Sequence, residues 1–109
     1  MAEPQLPASL MVGALQKQVQ AAGGFVTVLA KGSRYGSALL LVTRTDGEVR
    51  AFEKIPNLDG EPHWRLAAVG ESDVAGFIAR QTRFDPDLWV VELDIAAPQR
   101  FIAGFPEIY

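Results

Sequence analysis

Three places in this 109-residue sequence hold side chains able to do chemistry: His63, the carboxylates Asp85 and Asp87 on either side of Pro86, and the connection Lys31-Gly32-Ser33-Arg34-Tyr35-Gly36-Ser37. His63 is the only histidine and lies two residues after Glu61. As a general base it would need a nucleophile and a third group to orient it, and as a metal ligand it would need two or three companions. Only scattered carboxylates remain for those roles, so it reads as a strand-edge or surface histidine. Asp85 and Asp87 could present paired carboxylates to a cation or work as an acid and a base. A calcium loop, however, needs more oxygen donors at alternating positions and a glycine. Aspartates around a proline are common turn chemistry, and Arg80 and Arg83 on the same element favour local ion pairing over catalysis.

The 31–37 connection resembles a phosphate cradle in composition. It lacks the order GxxxxGK[ST] between a strand and a helix that a P-loop requires, and glycine and serine are default turn residues. Its Lys31, Ser33, Arg34 and Tyr35 are still the best candidates for contacting an anion, with Arg34 and Tyr35 able to hold and stack on a phosphorylated or nucleotide ligand. Trp64 and Trp89 could line a pocket, but each falls on the apolar face of an expected strand, where core packing is the ordinary role. No spacing matches a cofactor or metal constellation, so neither is expected.

The elements that must position these groups follow from periodicity. Residues 6–22 predict an amphipathic helix, with Met11, Leu15 and Val19 on one face beside Leu10 and Ala14, stopped by Gly23 and Gly24. Residues 25–30 (FVTVLA) and 38–43 (ALLLVT) are apolar on both faces and predict inner strands. Asp46-Gly47 marks a tight hairpin, whose second arm, 49–55, alternates charge and predicts an edge strand. Residues 57–62 read as a loop and 63–69 as a half-buried strand. A second helix follows, capped by Ser72, with Glu71 and Asp73 at its positive end and Arg80 and Arg83 at its negative end. Pro86 ends it, and residues 88–95 form a last strand with Trp89, Val91, Leu93 and Ile95 on one face. The tail holds Phe101, Ile102, Phe105, Ile108 and Tyr109, too apolar to stay exposed, so it must close its own core or cover a partner subunit. The fold expected is α+β: a mainly antiparallel sheet of about five strands with two helices packed on one face, in a single domain spanning residues 1–109.

The net charge is −3, about +2 over residues 1–56 and −5 over 57–109, so nucleic-acid binding through phosphate contacts is not expected. With no cysteine there are no disulfides or thiolate sites, which suits a reducing compartment. The first residues lack the pattern of a signal peptide, and no apolar run reaches the roughly twenty residues of a membrane span. A cytoplasmic location, without membrane association, is the expectation.

The run Arg83-Phe84-Asp85-Pro86-Asp87-Leu88-Trp89-Val90-Val91-Glu92-Leu93, with the earlier passage Val19-Gln20-Ala21-Ala22-Gly23-Gly24-Phe25, resembles a small alphaproteobacterial family catalogued as domain of unknown function fourteen ninety-one. The resemblance covers nearly the whole chain and implies a bacterial, cytoplasmic, stand-alone domain, with no activity, cofactor or site residue to carry over. The leading functional expectation is a noncatalytic binding or protein-interaction module, a homodimer using the apolar tail (Phe101, Phe105, Tyr109) and the acidic turn (Asp85, Asp87). The alternative is a domain, binding or enzymatic, that holds a phosphorylated small molecule at the 31–37 loop.

Overall fold

The structure, a computed structural model, describes residues 6–55 and 63–106; the expected 57–62 loop, Ile108 and Tyr109 lie outside the described residues. The elements run α1 (Ala8–Ala21), β1 (Phe25–Ala30), β2 (Leu39–Thr45), β3 (Glu48–Ile55), β4 (His63–Val69), α2 (Glu71–Phe84), β5 (Trp89–Asp94) and a 3-10 turn, Pro98–Phe101. One sheet holds all five strands in the order β1-β5-β2-β3-β4. Every neighbouring pair is antiparallel except β2 and β5, which are parallel. The fold is α+β, as expected from the run of strands between helices.

The β2–β3 hairpin forms where Asp-Gly predicts it. Asp46 and Gly47 both adopt positive φ, 52° and 81°, and Thr45 pairs with Glu48 across a two-residue turn. The second helix begins at Glu71, since Gly70 takes a φ of 96° and starts it without a side-chain cap. Ser72 therefore sits inside the first turn instead of capping it. Glu71 and Asp73 do occupy that turn, and Arg83 the last one, matching the helix dipole.

Two strand placements depart from expectation. β1 is an edge strand, because β5 inserts between β1 and β2 and takes the inner position. β3 is an inner strand between β2 and β4. Its alternation is real, but Arg50 and Lys54 flank Phe52 on one face while Val49 and Ala51 are buried on the other, so both faces are used.

The helices also depart from a one-face arrangement. β4 is antiparallel to β3 and β3 to β2, so β4 runs with β5, and the β4-α2-β5 connection is a parallel crossover lying over one face. On that face Val74 and Phe77 pack with Leu40, Val42, Ala51 and Val90. α1 packs on the opposite face, where Ala8, Val12, Leu15 and Val19 meet Leu39, Leu41, Val91 and Leu93. The consecutive residues Leu39 to Val42 thus serve two different cores, which explains an apolar run without alternation. The buried stripe of α1 is rotated from the one read in the sequence, and Leu10 and Ala14 are exposed.

Thr43 is fully buried, and its hydroxyl has no hydrogen-bond partner among the described residues. Burying an unpaired hydroxyl costs stability, whereas valine fills the same volume without one. Thr43→Val is expected to stabilise the fold by about 1 kcal/mol, read from the midpoint of urea unfolding.

Candidate functional site

The 31–37 loop and the Asp85–Asp87 turn, far apart in sequence, meet at one end of the sheet. β1 and β2 are not paired, so the loop cannot be a hairpin; it crosses over the start of β5. The backbone N–H of Ser33 donates to the Asp87 carbonyl (2.9 Å), and the Trp89 indole Nε1–H donates to the Ser33 carbonyl (2.7 Å). Gly32 is the point of closest approach: a Cβ there would lie 2.2 Å from the Asp87 carbonyl oxygen. The start of α1 holds the other end of the loop, with Ala8 N–H donating to the Gly36 carbonyl (2.8 Å) and Ser9 Oγ to the Arg34 carbonyl (3.1 Å).

This geometry is that of a fastened crossover. The Ser33 N–H is committed to the turn, and the Tyr35 N–H donates to Ser33 Oγ (3.3 Å), so neither faces outward as an anion cradle would need. Asp85 is likewise used structurally: one of its carboxylate oxygens accepts from the Asp87 N–H (3.0 Å). Lys31, Arg34 and Tyr35 are exposed around the crossover, Tyr35 at 81%. Trp89 is buried and acts as the clasp. No signal in the sequence linked Trp89 to Ser33, since the contact depends on β5 entering the sheet beside β2.

The tail folds onto its own chain. Phe105 is buried, its ring centroid 4.3 Å from that of Phe52 and 6.0 Å from that of Trp64, and Ile102 joins the same core. Arg100 secures the turn by donating to the Ala97 and Ala96 carbonyls (3.1 and 2.9 Å), with its guanidinium 4.8 Å from the Phe101 ring centroid. The Gly104 carbonyl accepts from the Trp64 N–H (3.2 Å) and so covers part of the β4 edge. Phe105 is core and presents no surface to a partner. Phe101, half-buried, lines a groove of about 220 Å³ between the tail and α1, together with Met11, Leu15, Trp64, Ile102 and Lys54.

His63 is exposed at the start of β4, paired in register with Ile55. Among the described residues no three His, Asp or Glu side chains gather as a metal site would require. Among the described residues, electrostatic perturbation is found in a surface cluster: Arg44 contacts Glu71 at 2.6 Å and Glu92 at 3.4 Å. The hydrogen bond to Glu71 is the main cause that raises the Arg44 pKa; desolvation pulls the other way, and Glu92 adds attraction. The cluster ties the start of α2 to β5, a structural role. Among the described residues, no helix is long and apolar enough to cross a membrane.

The fold is shared with solved structures. A crystal structure of a DUF1491 family protein from Caulobacter crescentus superposes with a TM-score of 0.81 at 29% identity, covering 93% of this chain and 99% of that one. A solution structure of an Agrobacterium tumefaciens protein, a structural-genomics target, gives a TM-score of 0.78 at 28% identity and covers 97% and 98%. A second Caulobacter crescentus DUF1491 structure, determined by NMR, gives 0.79 at 28% identity and covers 95% and 99%. No curated protein matches the chain. The family described as "Protein of unknown function (DUF1491)" matches residues 6–103, and the chain belongs to that family.

Proposed function

We propose that the protein is a noncatalytic interaction module of the bacterial cytoplasm that forms a homodimer through the free edge of β1. The observation that carries this reading is the chemistry of that edge. β1 pairs with β5 on one side only, and among the described residues nothing pairs with its outer side. Its sequence, FVTVLA, contains neither charge nor proline, and Phe25, Val28 and Leu29 are exposed, Phe25 at 70%. Soluble proteins commonly blunt a free edge with charge, a bulge or a covering segment. The opposite edge has such protection, with Arg65 and His63 on β4 and the tail carbonyl of Gly104 on Trp64. β1 has only an irregularity in pairing between Val28 and Ala30.

A second copy is the partner this edge fits. Antiparallel pairing about a two-fold axis sets uncharged residues against uncharged residues, so no like charges oppose one another. The same symmetry brings the end of β1 that leads into Lys31 and Arg34 towards the end of the other copy where Phe25 pairs with Asp94, placing opposite charges near each other as a polar rim. Lys31, Arg34, Tyr35 and Asp87 then belong to the margin of an interface. The phosphorylated-ligand alternative has less support, because the Ser33 and Tyr35 backbone donors are already bonded within the chain.

Sedimentation velocity is expected to show a species of twice 11.8 kDa that dissociates on dilution. Thr27→Lys combined with Leu29→Lys places like charges across the two-fold axis and is expected to weaken association by at least roughly tenfold while the thermal midpoint stays nearly unchanged at low protein concentration. A wild-type protein that remains monomeric at high concentration removes the reading.

A further inference from the structure

The groove beside α1 arises from how one face of the sheet is covered. α1 lies over the β1–β5 half, while the tail packs Ile102 and Phe105 over Phe52 and Trp64 on the β3–β4 half. The two covers leave a cleft between them. Its α1 wall is a helical stripe, Met11, Leu15 and Gln18, with Ala14 between them; its tail wall is Phe101 with Ala103. Ala14 and Ala103 are small, which keeps the cleft open. The stripe on α1 is thus wider than its own core contact requires, and its surplus faces the groove.

Two features set the chemistry of an occupant. The walls are chiefly apolar and include the Trp64 ring, which suits an alkyl chain or a single aromatic ring. The volume of about 220 Å³ holds roughly seven groups of methylene or water size at about 30 Å³ each. Lys54 supplies the polar feature: it pairs in register with Trp64 on the same sheet face and forms no ion pair among the described residues. A single amine is a point charge that meets one carboxylate, and among the described lining residues no guanidinium fork joins it to hold a phosphate from two sides.

We propose that this groove binds a small amphiphilic monocarboxylate, a medium-chain fatty acid or an arylalkanoic acid. Its apolar body lies against Met11, Leu15, Trp64 and Phe101, and its carboxylate meets Lys54. This site lies on the sheet face and is independent of the β1 edge, so either proposal can stand without the other.

The test is titration of the full chain with octanoate and 3-phenylpropionate, followed by the indole N–H resonances of Trp64 and Trp89, with octanol as the uncharged control. Saturable movement of the Trp64 resonance is expected, larger than any movement of Trp89, which lies across β2 and β3 from Trp64 and does not line the groove. Lys54→Met should weaken octanoate binding by roughly tenfold, the loss of one charge-assisted contact, and leave octanol binding unchanged. Ala103→Trp fills the groove from an exposed position and should abolish both, its fold confirmed by an unmoved Trp89 resonance. The proposal falls if Trp64 does not respond, if Lys54→Met binds octanoate as the wild type does, or if Trp64 responds to protein dilution instead of ligand, which would assign the groove to a second copy.

Discussion

Gly32→Ala is expected to destabilise the fold by about 3 kcal/mol and lower the thermal midpoint by roughly 15 °C. The added methyl would sit 2.2 Å from the Asp87 carbonyl oxygen, 2.6 Å from the Trp89 ring and 2.7 Å from the Leu88 carbonyl carbon. Two of these three are backbone atoms. Their turn is held in place by Asp85, whose carboxylate accepts from the Asp87 N–H and whose carbonyl accepts from the Leu88 N–H. Relief must therefore come from lifting the crossover, which breaks the Ser33–Asp87 bond and leaves the buried Trp89 indole without its acceptor. The control lies four residues away. At Gly36 a methyl meets only ordinary contacts, the nearest being Ser33 Cβ at 3.5 Å, so Gly36→Ala is expected to change stability by no more than about 0.5 kcal/mol. Urea unfolding of the two variants side by side separates steric closure at Gly32 from any general need for glycine in the loop.

Phe105→Ala is expected to cost a similar amount, about 3 kcal/mol, for removing a buried aromatic ring. The ring contacts Phe52, one of the largest fully buried side chains, and Trp64 beside it. Because these partners belong to the same chain, the loss should be the same at every protein concentration. A tail that covered a partner subunit would instead give a loss that grows with concentration, as association does. Phe84 provides the contrast: it is 85% exposed, and Phe84→Ser should stay within about 0.5 kcal/mol.

The distinction between these two phenylalanines shows what the sequence made legible. Both lie beside prolines and charges, and nothing local separates them. Features set by a few neighbouring residues were readable: the Asp46-Gly47 turn, the end of α2 before Pro86, and the shared face of Trp89, Val91 and Leu93. Each depends on backbone preference or on side-chain alternation, which act within a turn or a strand. The apolar run at Leu39 to Val42, without alternation, likewise announces a strand buried on both faces, and β2 is buried there.

Position in the sheet was not readable in the same way. FVTVLA and LLLVT have the same pattern, yet one is an edge and the other central, because apolar character reports affinity for a core and not which strand lies alongside. The candidate residues behaved alike. Lys31, Ser33, Arg34 and Tyr35 formed one group and Asp85 and Asp87 another, and the sequence could not show that they touch. Their meeting requires β5 to enter between β1 and β2, a pairing decided by closure of the whole sheet. The elements, the α+β class and the family are written in the residues alone, since those rest on local periodicity and on a specific run of side chains. Tertiary packing put the helices on opposite faces, folded the tail into its own core, and left the β1 edge and the groove beside α1 uncovered by any described residue. Those outcomes depend on long-range packing, in which every buried face must find a partner at once.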